Sequence, residues 1–193
     1  IISDIDKTVL PPHDIHAAGP KPSPYPGVVT LYTELEGATP GDMTYVTART
    51  PDLVTEIPDW MADHGLPVGP IETGVNMWTS QAEKVRDIRR AMDANPDQSF
   101  VLFGDSSHRD PEVYAEILAL YPTRVLAVFI HKVNNVNPAR VTGMNLITNY
   151  AQVASRLLEL NILDEPAARR AMEAAQAEGL AITDSEIDGL LAP

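Results

Sequence analysis

The chain has 193 residues, 44% of them hydrophobic and 21% charged, which fits one soluble globular domain with a single sizeable core. A formal net charge of -13 with no basic run excludes a nucleic-acid-binding face, because neutralising backbone phosphates takes clustered lysine and arginine. There is no cysteine and nothing near the ~20 apolar residues of a membrane span, so disulfides, thiolate chemistry and a transmembrane segment are excluded as well.

Ile1 to Ile5 is a short apolar run ending in polar residues and reads as the carboxyl part of a buried strand. Because the first residues already lead into a motif, the natural chain is expected to extend upstream. The expected location is the cytoplasm, with an exported form left open by that truncation. Leu10 to Pro26 carries six prolines and two histidines without periodicity, and so predicts a surface loop. His13-Asp14-Ile15-His16 in this loop has a metal-ligand spacing, but zinc needs three or four ligands and no third is evident. Solvated histidines are the better reading.

Pro26-Gly27 introduces a helix over Val28 to Glu36, with Val28, Leu31, Tyr32 and Leu35 at helical spacing. Met43 to Thr47 predicts a second strand, and Pro51 opens a second helix carrying Leu53, Ile57, Trp60 and Met61 on one side. Ile71 to Gly74 is a short third strand. Ser80 caps a helix to about Ala94, Ser99 to Phe103 is an apolar fourth strand stopped by Gly104 and Asp105, and Pro111 to Leu120 is helical. Arg124 to Ile130 is a fifth strand, and from Ile147 onward the pattern is helical. The alternation predicts an α/β fold, a parallel sheet covered on both faces, with ligands at the carboxyl ends of the strands. Two segments are expected: a core over 1–146 and a helical C-terminal extension over 147–193, packed on it.

The chemistry is carried by residues at those strand ends. Ser3-Asp4-Ile5-Asp6-Lys7-Thr8 puts two carboxylates on one turn. Phosphoryl transfer needs an in-line nucleophile and a proton donor for the leaving oxygen, roles that Asp4 and Asp6 can divide. Alone, such a turn reads equally as a helix cap or a solvated loop. Thr47 ends the second strand, where its hydroxyl can hold a phosphate oxygen, and Lys84 lies early in the helix before the fourth strand, where its ammonium can hold nucleophile and phosphate. Gly104-Asp105 ends the fourth strand, and Asp110 follows five residues later. Asp4, Asp105 and the Asp6 carbonyl supply the oxygen ligands that Mg2+ prefers, with Asp110 as an outer or occasional ligand.

In this order the residues resemble the four motifs of the haloacid dehalogenase-like (HAD-like) superfamily. The likeness narrows to the App1-type phosphatidate phosphatase catalytic domain, with lipins as more distant relatives. It rests on Ser3-Asp4-Ile5-Asp6, Tyr25-Pro26-Gly27 with Leu31-Tyr32, Tyr45-Val46-Thr47, Gly65-Leu66-Pro67 leading to Gly69-Pro70, Gly104-Asp105-Ser106, and Asp110-Pro111-Glu112 with Tyr114, and it runs from Ile1 to about Lys132. The resemblance implies a Rossmannoid three-layer α/β/α fold with minimal or no cap. It also implies a Mg2+-dependent phosphomonoester hydrolase acting through an aspartyl-phosphate on Asp4, with Asp6 as acid and base, Thr47 and Lys84 as phosphate holders, and Asp105 as metal ligand. Thr8, Ala48, Arg49, His108, Arg109 and His131 are the candidate substrate contacts. Arg49 is suggested by the Ser-Ala-Arg of lipins. Lys7, in place of the family's common acidic residue, and Ser107-His108-Arg109 depart from its pattern and bear on lipid specificity. The competing readings are a non-catalytic magnesium- or phosphate-binding module and a phosphatase of soluble metabolites or nucleic-acid ends. The oligomeric state is not legible.

Overall fold

The computed structural model describes residues 1–12, 19–37, 41–75 and 80–192. The His13 and His16 pair lies outside the described residues. Six parallel strands form one sheet: β1 (Ile2–Ser3), β2 (Thr44–Val46), β3 (Ile71–Glu72), β4 (Phe100–Asp105), β5 (Val125–His131) and β6 (Asn145–Ile147), in the order β3-β2-β1-β4-β5-β6. Seven α-helices accompany them: α1 (Val28–Glu36), α2 (Ile57–Asp63), α3 (Ser80–Ala94), α4 (Asp110–Leu120), α5 (Tyr150–Glu159), α6 (Glu165–Ala177) and α7 (Asp184–Leu191).

Alternation along the central strands builds two cores. Val101 and Phe103 of β4 with Ala127 and Phe129 of β5 face α1, α2, α5, α6 and α7, whereas Phe100, Leu102, Val128 and Ile130 face α3 and α4. The sheet is therefore the middle of three layers, as an all-parallel sheet requires, because both of its faces are apolar. The three C-terminal helices are integral to one of these cores: Val153, Leu157, Ala168 and Met172 are fully buried against it. Gly27 shows how close this packing is. At φ 82° it occupies the left-handed region, and a Cβ there would lie 2.6 Å from Ala175 Cβ.

Three expectations change. A sixth strand, β6, pairs in parallel with β5 through Leu146 opposite Ile130; the sequence suggested no strand here and a helix from its last residue, Ile147, onward. Three residues carry no readable period, and only the neighbouring strand makes them extended. The line expected after residue 146 thus falls inside a strand. Pro51 opens a single 3-10 turn over Pro51–Leu53, and α2 begins at Ile57. Strand β4 does not stop before Gly104 but runs through Asp105, paired with β5 to the end.

The strand order fixes where a ligand sits. The chain steps outward from β1 to β2 and β3, then returns to the other side of β1 for β4, β5 and β6, so the switch in direction lies between β1 and β4. Loops leaving two adjacent strands to opposite faces open a crevice at their carboxyl ends. Ser3 pairs with Phe103. Asp4 and Asp105 therefore leave neighbouring strands at that crevice.

Candidate active site

Asp4 follows β1, its N–H donating to Phe103 O at 2.8 Å, and the residue is only 2% exposed. Lys84, one turn into α3, donates to Asp4 Oδ1 at 2.6 Å and to Asp110 Oδ1 at 2.7 Å, and both lysine and Asp110 are buried. Asp110, the first residue of α4, uses its second oxygen to accept the Asp105 N–H at 2.9 Å. One ammonium between two buried carboxylates leaves a negative charge without a partner. Burial, reinforced by Asp110 and only partly offset by Lys84, pushes the Asp4 carboxyl up to about 8.

Close approach of Asp110 depends on Gly104. A Cβ at position 104 would stand 2.7 Å from Asp110 Cβ, Asp110 Oδ2 and Tyr114 Cε2. The G104A variant is expected to lose about 1–3 kcal/mol of stability, as overpacked cores do, and to shift Asp110 off the Asp105 N–H. Urea unfolding checks the first expectation, and the chemical shift of that amide checks the second.

Asp105 is fully buried and enclosed by its own loop. Its Oδ1 accepts from Ser107 N (2.5 Å), Ser107 Oγ (2.6 Å) and His108 N (3.1 Å), and its Oδ2 accepts from His108 Nδ1 (2.6 Å). Burial pushes the carboxyl up, but the bonds from His108 and Ser107 outweigh it and hold Asp105 below its usual range. The same bond with Asp105 raises the His108 imidazole above its ordinary value. Among the described residues, Asp4, Asp105 and His108 present ligand atoms within 4.8 Å of one another. This set of two carboxylates and an imidazole, in which Asp4 lacks enough positive charge, fits a divalent cation: oxygen donors suit Mg2+, and the imidazole also admits Mn2+.

The Asp6 carboxylate faces the crevice from the β1 loop, held by a two-pronged bond from Arg49, Nε to Oδ2 at 2.8 Å and Nη2 to Oδ1 at 2.7 Å. The loop itself is tightly wound. Lys7 adopts φ 61°, unusual for a residue with a side chain, and the N–H groups of Val9 and Leu10 both turn back to Ile5 O at 3.0 Å. Two groups hold this turn from behind: His131 Nδ1 donates to Lys7 O at 2.7 Å and Tyr150 Oη donates to Thr8 O at 2.6 Å.

An open cleft of about 860 Å³ lies in front of these residues. Of the candidates named from sequence, Asp4, Asp6, Ala48, Arg49, Lys84, His108, Arg109 and Asp110 line it. Asp105 sits beneath, within reach of Asp4. Thr47 is buried, its Oγ1 accepting from Arg49 N at 3.1 Å, and Thr8 is buried with its hydroxyl 3.4 Å from Asp4 Oδ2. His131 stands behind the loop between the rings of Tyr25 and Tyr150, outside the cleft lining. Sequence reasoning named Ser107 and Glu112 only as parts of motifs, without their contacts, and missed Arg140 and Tyr150. Arg140 also lines the cleft, and the pairing of Arg49 with Asp6 was equally unforeseen.

Among the described residues no helix is long and apolar enough to cross a membrane. Comparisons with curated proteins and with solved structures each found no match. A family model described as the catalytic domain of the phosphatidate phosphatase APP1 matches residues 1–132, including every strand end around the Asp4 crevice, and the chain belongs to that family of phosphatases.

Proposed function

We propose that the protein is a divalent-cation-dependent phosphomonoester hydrolase, with Mg2+ as the cation, Asp4 as the nucleophile and a phosphatidate-type lipid as the substrate class. The observation that carries this reading is the buried Asp4-Lys84-Asp110 cluster opening onto the cleft beside Asp105. Bound between Asp4 and Asp105, Mg2+ would offset negative charge on the nucleophile and on the phosphate oxygens.

Asp4 attacks phosphorus, the P–O bond to the alcohol breaks, and the phosphoryl group is carried as an aspartyl-phosphate. Lys84 stays cationic beside it. Burial alone would lower this ammonium's pKa, but Asp110 and Asp4 together outweigh burial and hold it above its ordinary value. Asp6, having taken up a proton from solvent, gives it to the alkoxide as the P–O bond breaks and later takes one from the water that splits the acyl-phosphate. For that, Asp6 must be released from the Arg49 fork. A phosphate dianion competes for the same guanidinium, because it too offers a pair of oxygens to the fork, so substrate entry would free Asp6 as it draws Arg49 onto the phosphate. Pro12, Ala48 and Leu53 add apolar surface to the cleft lining, which suits a glycerol ester.

Metal-stripped protein is expected to release phosphate from p-nitrophenyl phosphate and from short-chain phosphatidate only after Mg2+ is added, with the higher kcat/KM on phosphatidate. EDTA should stop both reactions. Turnover of soluble sugar phosphates or 3′-phosphorylated ends with none of phosphatidate would move the substrate class. Metal binding without turnover of any ester would leave a binding module.

A further inference from the structure

Arg140 lies on a 3-10 turn over Pro138–Val141, beyond the last residue matched by the family model. Its guanidinium is nearly fully engaged. Nε and Nη2 grip the Glu112 carboxylate at 2.5 and 2.8 Å, Nη1 donates to Ser106 O at 3.0 Å, and Nη2 donates to His108 O at 2.7 Å. Glu112 is on the first turn of α4, directly after Asp110 and Pro111, so the fork ties the loop to the helix that carries Asp110.

The peptide between Ser106 and Ser107 is the telling one. It is trans, so its C=O and N–H point in opposite directions. When Arg140 holds the Ser106 carbonyl outward, the Ser107 N–H is aimed inward, and there it donates to Asp105 Oδ1 at 2.5 Å. The loop is braced from the other side by Ser106 Oγ, which accepts the Val133 N–H at 3.0 Å. Arg140 thus has few N–H groups left for a substrate. Its position at the cleft reflects contact with the loop rather than with a ligand.

We infer that Arg140 is a positioning residue for the cation site: by orienting the 106–108 backbone it fixes the direction in which Asp105 presents its carboxylate. This rests on the proposed divalent-cation reading of the Asp4 and Asp105 pair. It makes the segment after residue 132 part of the site, although it contributes no ligand.

The test is Mn2+ binding followed by electron paramagnetic resonance, with wild type, R140A and R140K compared at one pH, alongside melting temperatures in EDTA. R140A is expected to bind Mn2+ about 10- to 100-fold more weakly, the usual cost of removing a group that orients a ligand. R140K should fall between the two, since one ammonium cannot reach Glu112 and both carbonyls. Turnover of R140A should approach the wild-type rate when Mn2+ is raised to saturation, and guanidinium ion at a non-denaturing concentration should restore part of the affinity. A purely structural role would lower the melting temperature and leave Mn2+ affinity as it was, and that result in either variant overturns the inference. If R140A does not fold, R140K decides by the same criterion. Absence of Mn2+ binding by the wild type takes down the cation reading and this inference together, which separates that failure from the first.

Discussion

Replacing Asp4 by asparagine is expected to abolish turnover and at the same time to stabilise the metal-free protein. The first effect follows from the loss of the attacking oxygen. In the proposed reaction Asp4 alone forms the bond to phosphorus, so a fall of about 10^4-fold or more in kcat/KM is expected. The second follows from proton linkage. Burial holds the Asp4 carboxyl at about 8 in the fold, against 3.8 unfolded. Below about pH 4 the group is protonated in both states and takes nothing from stability. As the pH rises toward 8 the unfolded chain ionises while the folded one keeps its proton, so folding becomes progressively less favourable, by on the order of a few kcal/mol across the window. The amide of the D4N variant does not titrate. In EDTA its melting temperature should match wild type near pH 4 and exceed it by several degrees near pH 8, at roughly 2–4 °C per kcal/mol for a domain of this size. Mg2+ should narrow that gap, because it binds wild type more strongly. Scanning fluorimetry across pH with and without Mg2+, alongside phosphate release, checks both halves. An asparagine variant less stable than wild type at pH 8 in EDTA would contradict the account of Asp4 as a carboxyl short of positive charge.

That shortage could not be read from the sequence, although the residues that create it could. Asp4, Asp105 and Lys84 stand out because each lies at a strand end or at the start of a helix, and the alternation of elements says which ends meet. Asp110 stands out only as an acid five residues after Asp105. Its work as acceptor for the Asp105 N–H and for Lys84 depends on how α4 leaves β4 and on the bare backbone at Gly104, which the sequence suggested merely as a strand stop. The fork between Arg49 and Asp6 joins loops 43 residues apart, and the bond from Tyr150 to Thr8 spans 142. Contacts of that separation leave no local pattern. The same holds for β6, whose three residues are extended only because β5 lies beside them. The motifs name the candidate reacting groups, and segments far from them in sequence, with Arg49, His131 and Tyr150, supply groups that hold the 4–8 turn in place.

Removing the cation of the buried cluster should cost more than removing either acid. In K84M the side chain keeps nearly its length and its apolar stem, so packing changes little, but Asp4 and Asp110 are left buried without an ammonium. Breaking a buried ion pair from one side typically destabilises by about 3–5 kcal/mol, because a desolvated charge remains unpaired. The sign with pH follows from which form can be tolerated. With Lys84 gone, Asp4 rises further above 8, since the attraction that had lowered it is lost. The part of the loss that passes through Asp4 should therefore be absent well below pH 8, where Asp4 keeps its proton with or without Lys84, and should grow as the pH rises through 8 and beyond. Adding D110N to K84M removes one of the two acids and should recover a substantial part of the loss at pH 8, whereas D110N alone removes a partner of Lys84 and of the Asp105 N–H and should destabilise. The two substitutions are then non-additive, as contacting residues in one network should be. Urea unfolding of wild type, both single variants and the double variant at pH 5, pH 8 and pH 9.5 measures the cycle. If K84M unfolds with the same loss at pH 5 and pH 9.5, or if D110N worsens it at pH 8, Lys84 is not compensating buried negative charge, and the electrostatic basis for Asp4 as a cation-dependent nucleophile goes with it.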